Sequence, residues 1–246
     1  MFFKTLMTCL FLFTPASLSG EWNFGVGNMF SSEDRIQFGR DSLGGTGFVL
    51  AQKSSDVSVK GRQGVDIAEN PFSQVDQVTE KLIDVILYFK DEYPDNEEAF
   101  FSEINEVLNP HVDFDYMARM VMGPYKKVAT REQRDLFSRV FRMGLIETYG
   151  RGLVSFNNEK ILLINRHQLE DGQRKVSVRQ EIHGADKIYP LSYTMRRKKT
   201  GKWMITNVTI NGINLGKTLL NQFVQSARKN SGNIDYVIAN WSSEAV

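Results

Sequence analysis

The spacing of apolar residues changes along this chain, and that change most restricts the folds open to it. Apolar side chains recur at helical spacing between residues 71 and 149, and they alternate with polar ones between residues 160 and 211. Helical spacing returns at residue 215. Helices on both sides of one block of alternating strands indicate an α+β domain.

Helix signals divide the first block. Asn70–Pro71 offers an N-cap followed by proline at the first helical position, Asp113 is a second N-cap, and Thr130–Gln133 forms a capping box. The sequence therefore predicts four helices. The first begins at Pro71 and is stopped by Tyr93–Pro94, and the second and third cover residues 96–108 and 114–122. The fourth begins at the capping box and runs to Tyr149.

Four runs of period 2 follow, at residues 160–167, 174–183, 187–197 and 203–211, with turns around Gly172 and Gly201. Short connections of this kind join antiparallel neighbours. Residues 215–228 and 233–241 predict two closing helices. The expected fold is a curved antiparallel four-stranded sheet packed against N-terminal and C-terminal helices.

The N-terminal part has the composition of an export signal followed by a tail. Residues 1–20 contain a lone Lys4, then an apolar run and then small residues suited to cleavage by a signal peptidase. This order is typical of a secretory signal peptide cleaved near residue 20. Residues 21–70 are rich in glycine without a sustained period and predict a flexible tail. The folded domain is expected at residues 71–242.

Charge and cysteine content exclude several functions. The chain has 30 Lys and Arg against 29 Asp and Glu, without the strong basic excess that nucleic-acid binding requires. Its one cysteine, Cys9, lies in the predicted signal peptide. The mature chain is therefore expected to have no disulfide, no thiolate nucleophile and no Cys-ligated metal.

Three segments carry a family resemblance. Residues 110–119, Gly123–Pro124–Tyr125 and residues 129–137, together with the stretch from Gly201 to Ile213, resemble the MlaC family of periplasmic phospholipid-binding proteins, also called toluene-tolerance proteins. The resemblance runs from about residue 72 to residue 241. The chain departs from the family pattern at Asn207 and at Asn211–Asn214.

The resemblance implies a fold like that of the nuclear transport factor superfamily, in which sheet and helices enclose an apolar pocket for acyl chains. It implies a periplasmic carrier with phospholipid as cargo and no other cofactor, no metal and no catalysis. Its implied partners are an inner-membrane ABC lipid transporter with MCE domains and an outer-membrane lipoprotein–porin complex, a system linked to outer-membrane lipid asymmetry. Transient proximity to a membrane follows from that role.

The pocket residues are predicted from apolar stripes and strand alternation. A shift of one residue in register would replace Trp203 and Ile205 with Met204, Val208 and Ile210. Methionines also fall on these elements and either line a deformable cavity or pack the core, namely Met117, Met120, Met122, Met143, Met195 and Met204. The predicted lipid-binding residues are Met117, Val121, Phe137, Phe141, Tyr149, Tyr193, Trp203 and Ile205.

Two alternatives remain open at this point. An enzyme of the same fold would use a histidine with a nearby carboxylate, and the candidates are His111, His167, His183, Asp113 and Asp115. A periplasmic interaction module would have a packed core and no ligand.

One charged segment also has two interpretations. The basic run Arg196–Lys199, with Lys202, lies on a predicted hairpin tip. It either attracts anionic groups or is a solvated turn.

Overall fold

The computed structural model describes residues 70–185 and 187–241. The predicted signal peptide, residues 1–20, and the predicted tail up to residue 69 lie outside the described residues. The domain boundaries at 71 and 242 stay predictions.

The helical part begins with the caps that the sequence predicts. The Asn70 side chain accepts a hydrogen bond from the Phe72 amide at 2.9 Å, and Thr130 and Gln133 form both bonds of a capping box. The first helices are α1 (Pro71–Phe89), α2 (Glu97–Leu108), α3 (Phe114–Val121) and α4 (Arg131–Leu153), with a 3₁₀ turn at Gly123–Lys127.

The sheet is antiparallel, curved and open, with its strands in sequence order. The predicted α+β class is confirmed. The strands are β1 (Lys160–Leu163), β2 (Lys175–His183), β3 (Ile188–Arg197), β4 (Trp203–Ile210) and β5 (Ile213–Asn214).

The sheet differs from the prediction at both edges. The two-residue β5 adds a fifth strand beside β4. The first strand ends at Leu163 rather than residue 167, because the Asn165 side chain replaces backbone pairing there. Asn165 accepts from the Arg179 amide at 2.6 Å and donates to the Ser177 carbonyl at 2.8 Å.

A bulge in β4 resolves the register question that the sequence leaves open. Met195 pairs with Ile205 and Thr194 with Asn207, so Thr206 is the extra residue of β4. Its hydroxyl donates to the Thr194 carbonyl at 3.0 Å. Both predicted alternatives are therefore partly right, since the inner face holds Trp203 and Ile205 before the bulge and Val208 and Ile210 after it.

The chain departs from the family pattern at three asparagines, which are Asn207 in β4, Asn211 in the turn that follows and Asn214 at the end of β5. Asn211 and Gly212 have φ values of 49° and 82°, as in the tight turns of hairpins. Asn207 accepts from the Gly216 amide at 2.9 Å and Asn214 from the Lys217 amide at 3.0 Å. These two side chains cap the helix that follows, α5 (Leu215–Lys229).

The last helix is α6 (Ile234–Ala239). Among the described residues, no helix is both long enough and apolar enough to cross a membrane.

Candidate functional site

A cavity of about 240 Å³ lies between α1, α2, α4 and the inner face of the sheet. No charged side chain is found among the described residues that line it. Most of its surface is aliphatic and is contributed by Val75, Val78, Leu82, Ile83, Ile86, Ile104, Leu145, Ile146, Leu153, Ile161, Ile182, Leu191, Val208 and Ile210. The site therefore suits hydrocarbon chains and disfavours ions.

A few polar side chains interrupt this apolar lining. The Thr79 hydroxyl donates to Gln180 Oε1 at 3.3 Å, and Gln180 Nε2 lies 3.1 Å from the Thr79 hydroxyl oxygen. These two groups therefore satisfy each other across the α1–β2 contact. The tyrosines Tyr149 and Tyr193 also line the cavity, and burial raises the pKa of the Tyr193 hydroxyl, which keeps it protonated.

Four of the eight predicted lipid-binding residues line the cavity, namely Met117, Tyr149, Tyr193 and Ile205. Met117 belongs to α3 and Tyr149 to the C-terminal half of α4, whereas Tyr193 and Ile205 lie on the inner face of the sheet. Their contact with a lipid stays a prediction.

The structure buries the other four elsewhere, which corrects their placement in the pocket. Phe137 and Phe141 lie on α4 but face α5 and α6, where they pack against Phe223 and Trp241. We call Phe137, Phe141, Phe223 and Trp241 the aromatic cluster. The sequence pattern does not separate the two sides of α4, because both are buried.

Trp203 and Val121 lie outside the cavity for a different reason, which is their position along β4 and along α3, respectively. Trp203 begins β4 and packs beyond the cavity with Phe72, Val176 and Met195, in a group that we call the sheet-end cluster. Val121 lies one helical turn after Met117 and lines a separate groove between α3, α5 and the sheet.

Helix α1 supplies much of the cavity lining, although none of the predicted lipid-binding residues belongs to it. Its apolar stripe is visible in the sequence, and Val75, Val78, Leu82 and Ile86 all face the cavity. The stripe alone does not show which sheet region it covers. Of the candidate methionines, Met117 lines the cavity, whereas Met122 and Met195 pack the core and Met143 is exposed.

The three histidines have different partners and lie outside the cavity lining. His111 Nδ1 accepts from Gln74 Nε2 at 2.9 Å, since that amide nitrogen also donates to the Trp203 carbonyl. His167 stacks edge-on against Phe72, and His183 lies 3.2 Å from Glu181.

The two candidate carboxylates also have structural contacts. Asp113 caps α3 by accepting from the Tyr116 amide at 3.2 Å, and Asp115 accepts from Ser138. Among the described residues, neither of these two carboxylates is hydrogen-bonded to a histidine.

The basic run at the β3–β4 hairpin is partly held against the body of the protein. Lys198 pairs with Asp113 at 3.2 Å, the Arg196 guanidinium lies 5.1 Å from the centre of the Tyr116 ring, and Arg197 donates to the Gly201 carbonyl. The first two contacts fasten the hairpin to α3, and the third lies within the hairpin itself. Attraction of anionic groups by this run stays a prediction.

The fold and the cavity define a class of protein, in which a curved antiparallel sheet and its helices enclose an apolar space whose described lining has no charged side chain. Three comparisons agree with the resemblance seen in the sequence. The model of the MlaC protein family matches residues 76–243, and this chain therefore belongs to the MlaC family.

Two relatives are similar over most of their length. The toluene tolerance protein ttg2D of Pseudomonas putida is 32% identical over 179 residues, which are 72% of this chain and 82% of that protein. The intermembrane phospholipid transport system binding protein MlaC of Haemophilus influenzae is 25% identical over 183 residues, which are 73% of this chain and 84% of that protein.

A solved structure shows the same fold. The phospholipid-binding protein of Ralstonia solanacearum, determined in complex with a phospholipid, aligns with a TM-score of 0.64 at 20% identity. The alignment covers 72% of this chain and 97% of that one.

Proposed function

We propose that this protein is a periplasmic carrier that holds the acyl chains of a glycerophospholipid in the cavity between α1, α2, α4 and the sheet. The observation that carries the proposal is the apolar, charge-free lining of that cavity in a member of the MlaC family. The names of the relatives, one a phospholipid transport binding protein and one bound to a phospholipid, support the choice of cargo.

The free energy of hydrocarbon transfer explains how such a carrier works. Burial of each CH₂ group gains about 0.8 kcal/mol, so two acyl chains of about 15 carbons gain roughly 25 kcal/mol on leaving water. Escape of the lipid into water is therefore negligible. A bilayer offers the same gain, so exchange between carrier and membrane lies near balance and partner proteins supply the direction.

The size of the cavity adds a requirement. Pockets for small ligands usually span about 300–1,000 Å³. The cavity here has about 240 Å³, which is too small for two acyl chains. Loading therefore requires the lining elements to move apart, and unloading allows them to close again.

The wider role of the carrier completes the proposal. It shuttles lipid between an inner-membrane ABC transporter with MCE domains and an outer-membrane lipoprotein–porin complex, after export by the signal peptide of residues 1–20. The acyl chains find an equally apolar environment in the complexes of both membranes, so the same cavity can take up the lipid and release it.

The proposal is tested by identifying what the exported protein binds. Native mass spectrometry of the full mature chain, followed by solvent extraction, should show a stoichiometric mass increase that matches a phospholipid. Val208 lines the cavity from β4, and V208W should occupy that space and lower the loaded fraction about tenfold or more.

A matched control uses the neighbouring residue. Thr209 follows Val208 and faces the opposite side of the sheet, so T209W should bind lipid as the unchanged protein does. A protein without lipid after export, with no uptake from vesicles, would contradict the carrier proposal and favour an interaction module without ligand.

A further inference from the structure

One polar group in the cavity has no role in holding the fold. The Tyr193 side chain lies on the inner face of β3, where its cross-strand neighbours are Val178 on β2 and Val208 on β4. Its neighbours two residues away on the same face are Leu191 and Met195, which are also apolar. Among the described residues, none forms a hydrogen bond with the Tyr193 hydroxyl.

A polar group in apolar surroundings gains from a hydrogen-bond partner. Buried polar groups in proteins nearly always have a hydrogen-bond partner, because leaving one unpaired costs about 1–3 kcal/mol. Nearby Gln180 and Thr79 obey this rule by bonding to each other. The half-buried Tyr193 has no such partner among the described residues, and its side chain belongs to the surface that a bound molecule would contact.

The chemistry of the cavity defines the group that would accept this bond. Burial raises the pKa of the hydroxyl, so it remains a donor at all physiological pH values. A phosphate or carboxylate is disfavoured, because the described lining has no cation to offset the loss of hydration. A neutral oxygen acceptor attached to a hydrocarbon chain fits both conditions.

We propose that the Tyr193 hydroxyl donates a hydrogen bond to an ester carbonyl of the bound lipid and makes the protein selective for ester-linked over ether-linked chains. This inference rests on the proposed function as a phospholipid carrier. The ester carbonyl is the neutral acceptor closest to the acyl chain, and an ether linkage of the same length lacks it.

The test offers both linkages at once. Vesicles contain equal amounts of diester and diether phosphatidylglycerol with matched saturated chains, and the protein is loaded from them. Native mass spectrometry then gives the ratio of the two bound lipids. One hydrogen bond predicts a preference of about three- to tenfold for the diester lipid.

Two tyrosine-to-phenylalanine variants test whether the Tyr193 hydroxyl causes that preference. Y193F should bind both lipids equally, whereas Y189F, on the same strand but outside the cavity lining, should keep the preference. The lipid-free stability of Y193F should equal that of the unchanged protein, because no bond within the protein is lost.

The outcomes separate this inference from the carrier proposal. Equal uptake of both lipids by the unchanged protein, or a preference that survives in Y193F, would overturn the role of Tyr193 and leave the carrier intact. A lower lipid-free stability of Y193F would show that the hydroxyl has a structural partner, which also overturns it. Uptake of neither lipid would overturn both proposals.

Discussion

Helix α4 separates two apolar regions that are packed very differently. On one side, the rings of the aromatic cluster fill the space between α4, α5 and α6, with centroids 4.9–6.3 Å apart. On the other side, Leu145, Ile146 and Leu153 face the sheet across the cavity. Flat rings that meet edge to face or tilted close one interface, whereas aliphatic side chains opposite a curved sheet leave the other open.

The comparison shows where this domain has stability to lose. Side chains that line a cavity lack the contacts that close packing would give them, and this loss grows with the volume of the cavity. Net stabilities of domains are only about 5–15 kcal/mol. The aromatic cluster therefore has to supply stability that the cavity region does not, and a bound ligand should stabilise the protein further.

The largest expected effect comes from opening the aromatic cluster. Phe137 has no exposed surface and contacts the other three rings of the cluster. F137A should lower the free energy of unfolding by about 3–5 kcal/mol, because it loses buried surface and leaves a hole. Equilibrium unfolding in urea measures this, with the smaller loss of F137L as control. An unfolding midpoint unchanged from that of the original protein would show that the cluster is not the stable half.

A second prediction compares valine-to-tryptophan substitutions at a tightly packed position and at a cavity position on the same face of the sheet. Val176 belongs to the packed sheet-end cluster and is 5% exposed, whereas Val208 faces the cavity. V176W should cost about 1–3 kcal/mol by overpacking. V208W should leave the lipid-free stability unchanged or raise it, as measured by the same urea titration. Equal losses in both variants would mean that the cavity region is as rigidly packed as the cluster.

Helix α5 contributes to both regions, since Leu215 lines the cavity and Phe223 lies in the aromatic cluster. Its first turn depends on Asn214, which accepts from the Lys217 amide. N214A should lower the free energy of unfolding by about 1 kcal/mol. N214S should lower it much less, because serine also caps helices. If alanine and serine gave the same thermal midpoint, the cap would not matter.

The elements were predictable because their signals are local. Asn70, Asp113 and Thr130 begin helices by side-chain hydrogen bonds to the next turn, and such bonds follow from sequence spacing. The composition of the cavity was harder to predict, because it depends on which of two buried sides of α4 faces the sheet. The bulge at Thr206 also reverses the alternation of β4, and no strict period of 2 anticipates an inserted residue.

The smallest expected effect concerns the contact that joins α1 to the sheet at the edge of the cavity. The half-buried His111 accepts a hydrogen bond from Gln74, and its pKa is lowered first by burial and then by the cations Lys202 and Lys81. Below about pH 6.5, His111 therefore binds a proton more readily in the unfolded chain than in the folded protein. Stability falls as the pH drops through 6.5, until His111 itself is protonated in the folded state.

The slope of this pH dependence can be measured and assigned. One proton changes the free energy of unfolding by at most about 1.4 kcal/mol per pH unit, and His111 should contribute a fraction of that. Urea titrations at several pH values between neutral and mildly acidic would measure it, with H111Q as the comparison, because glutamine can still accept a bond and does not titrate. The variant should lose less stability on acidification than the unchanged protein. If both lost the same amount, protonation of His111 would not loosen α1, and the closed edge of the cavity would depend on its apolar contacts alone.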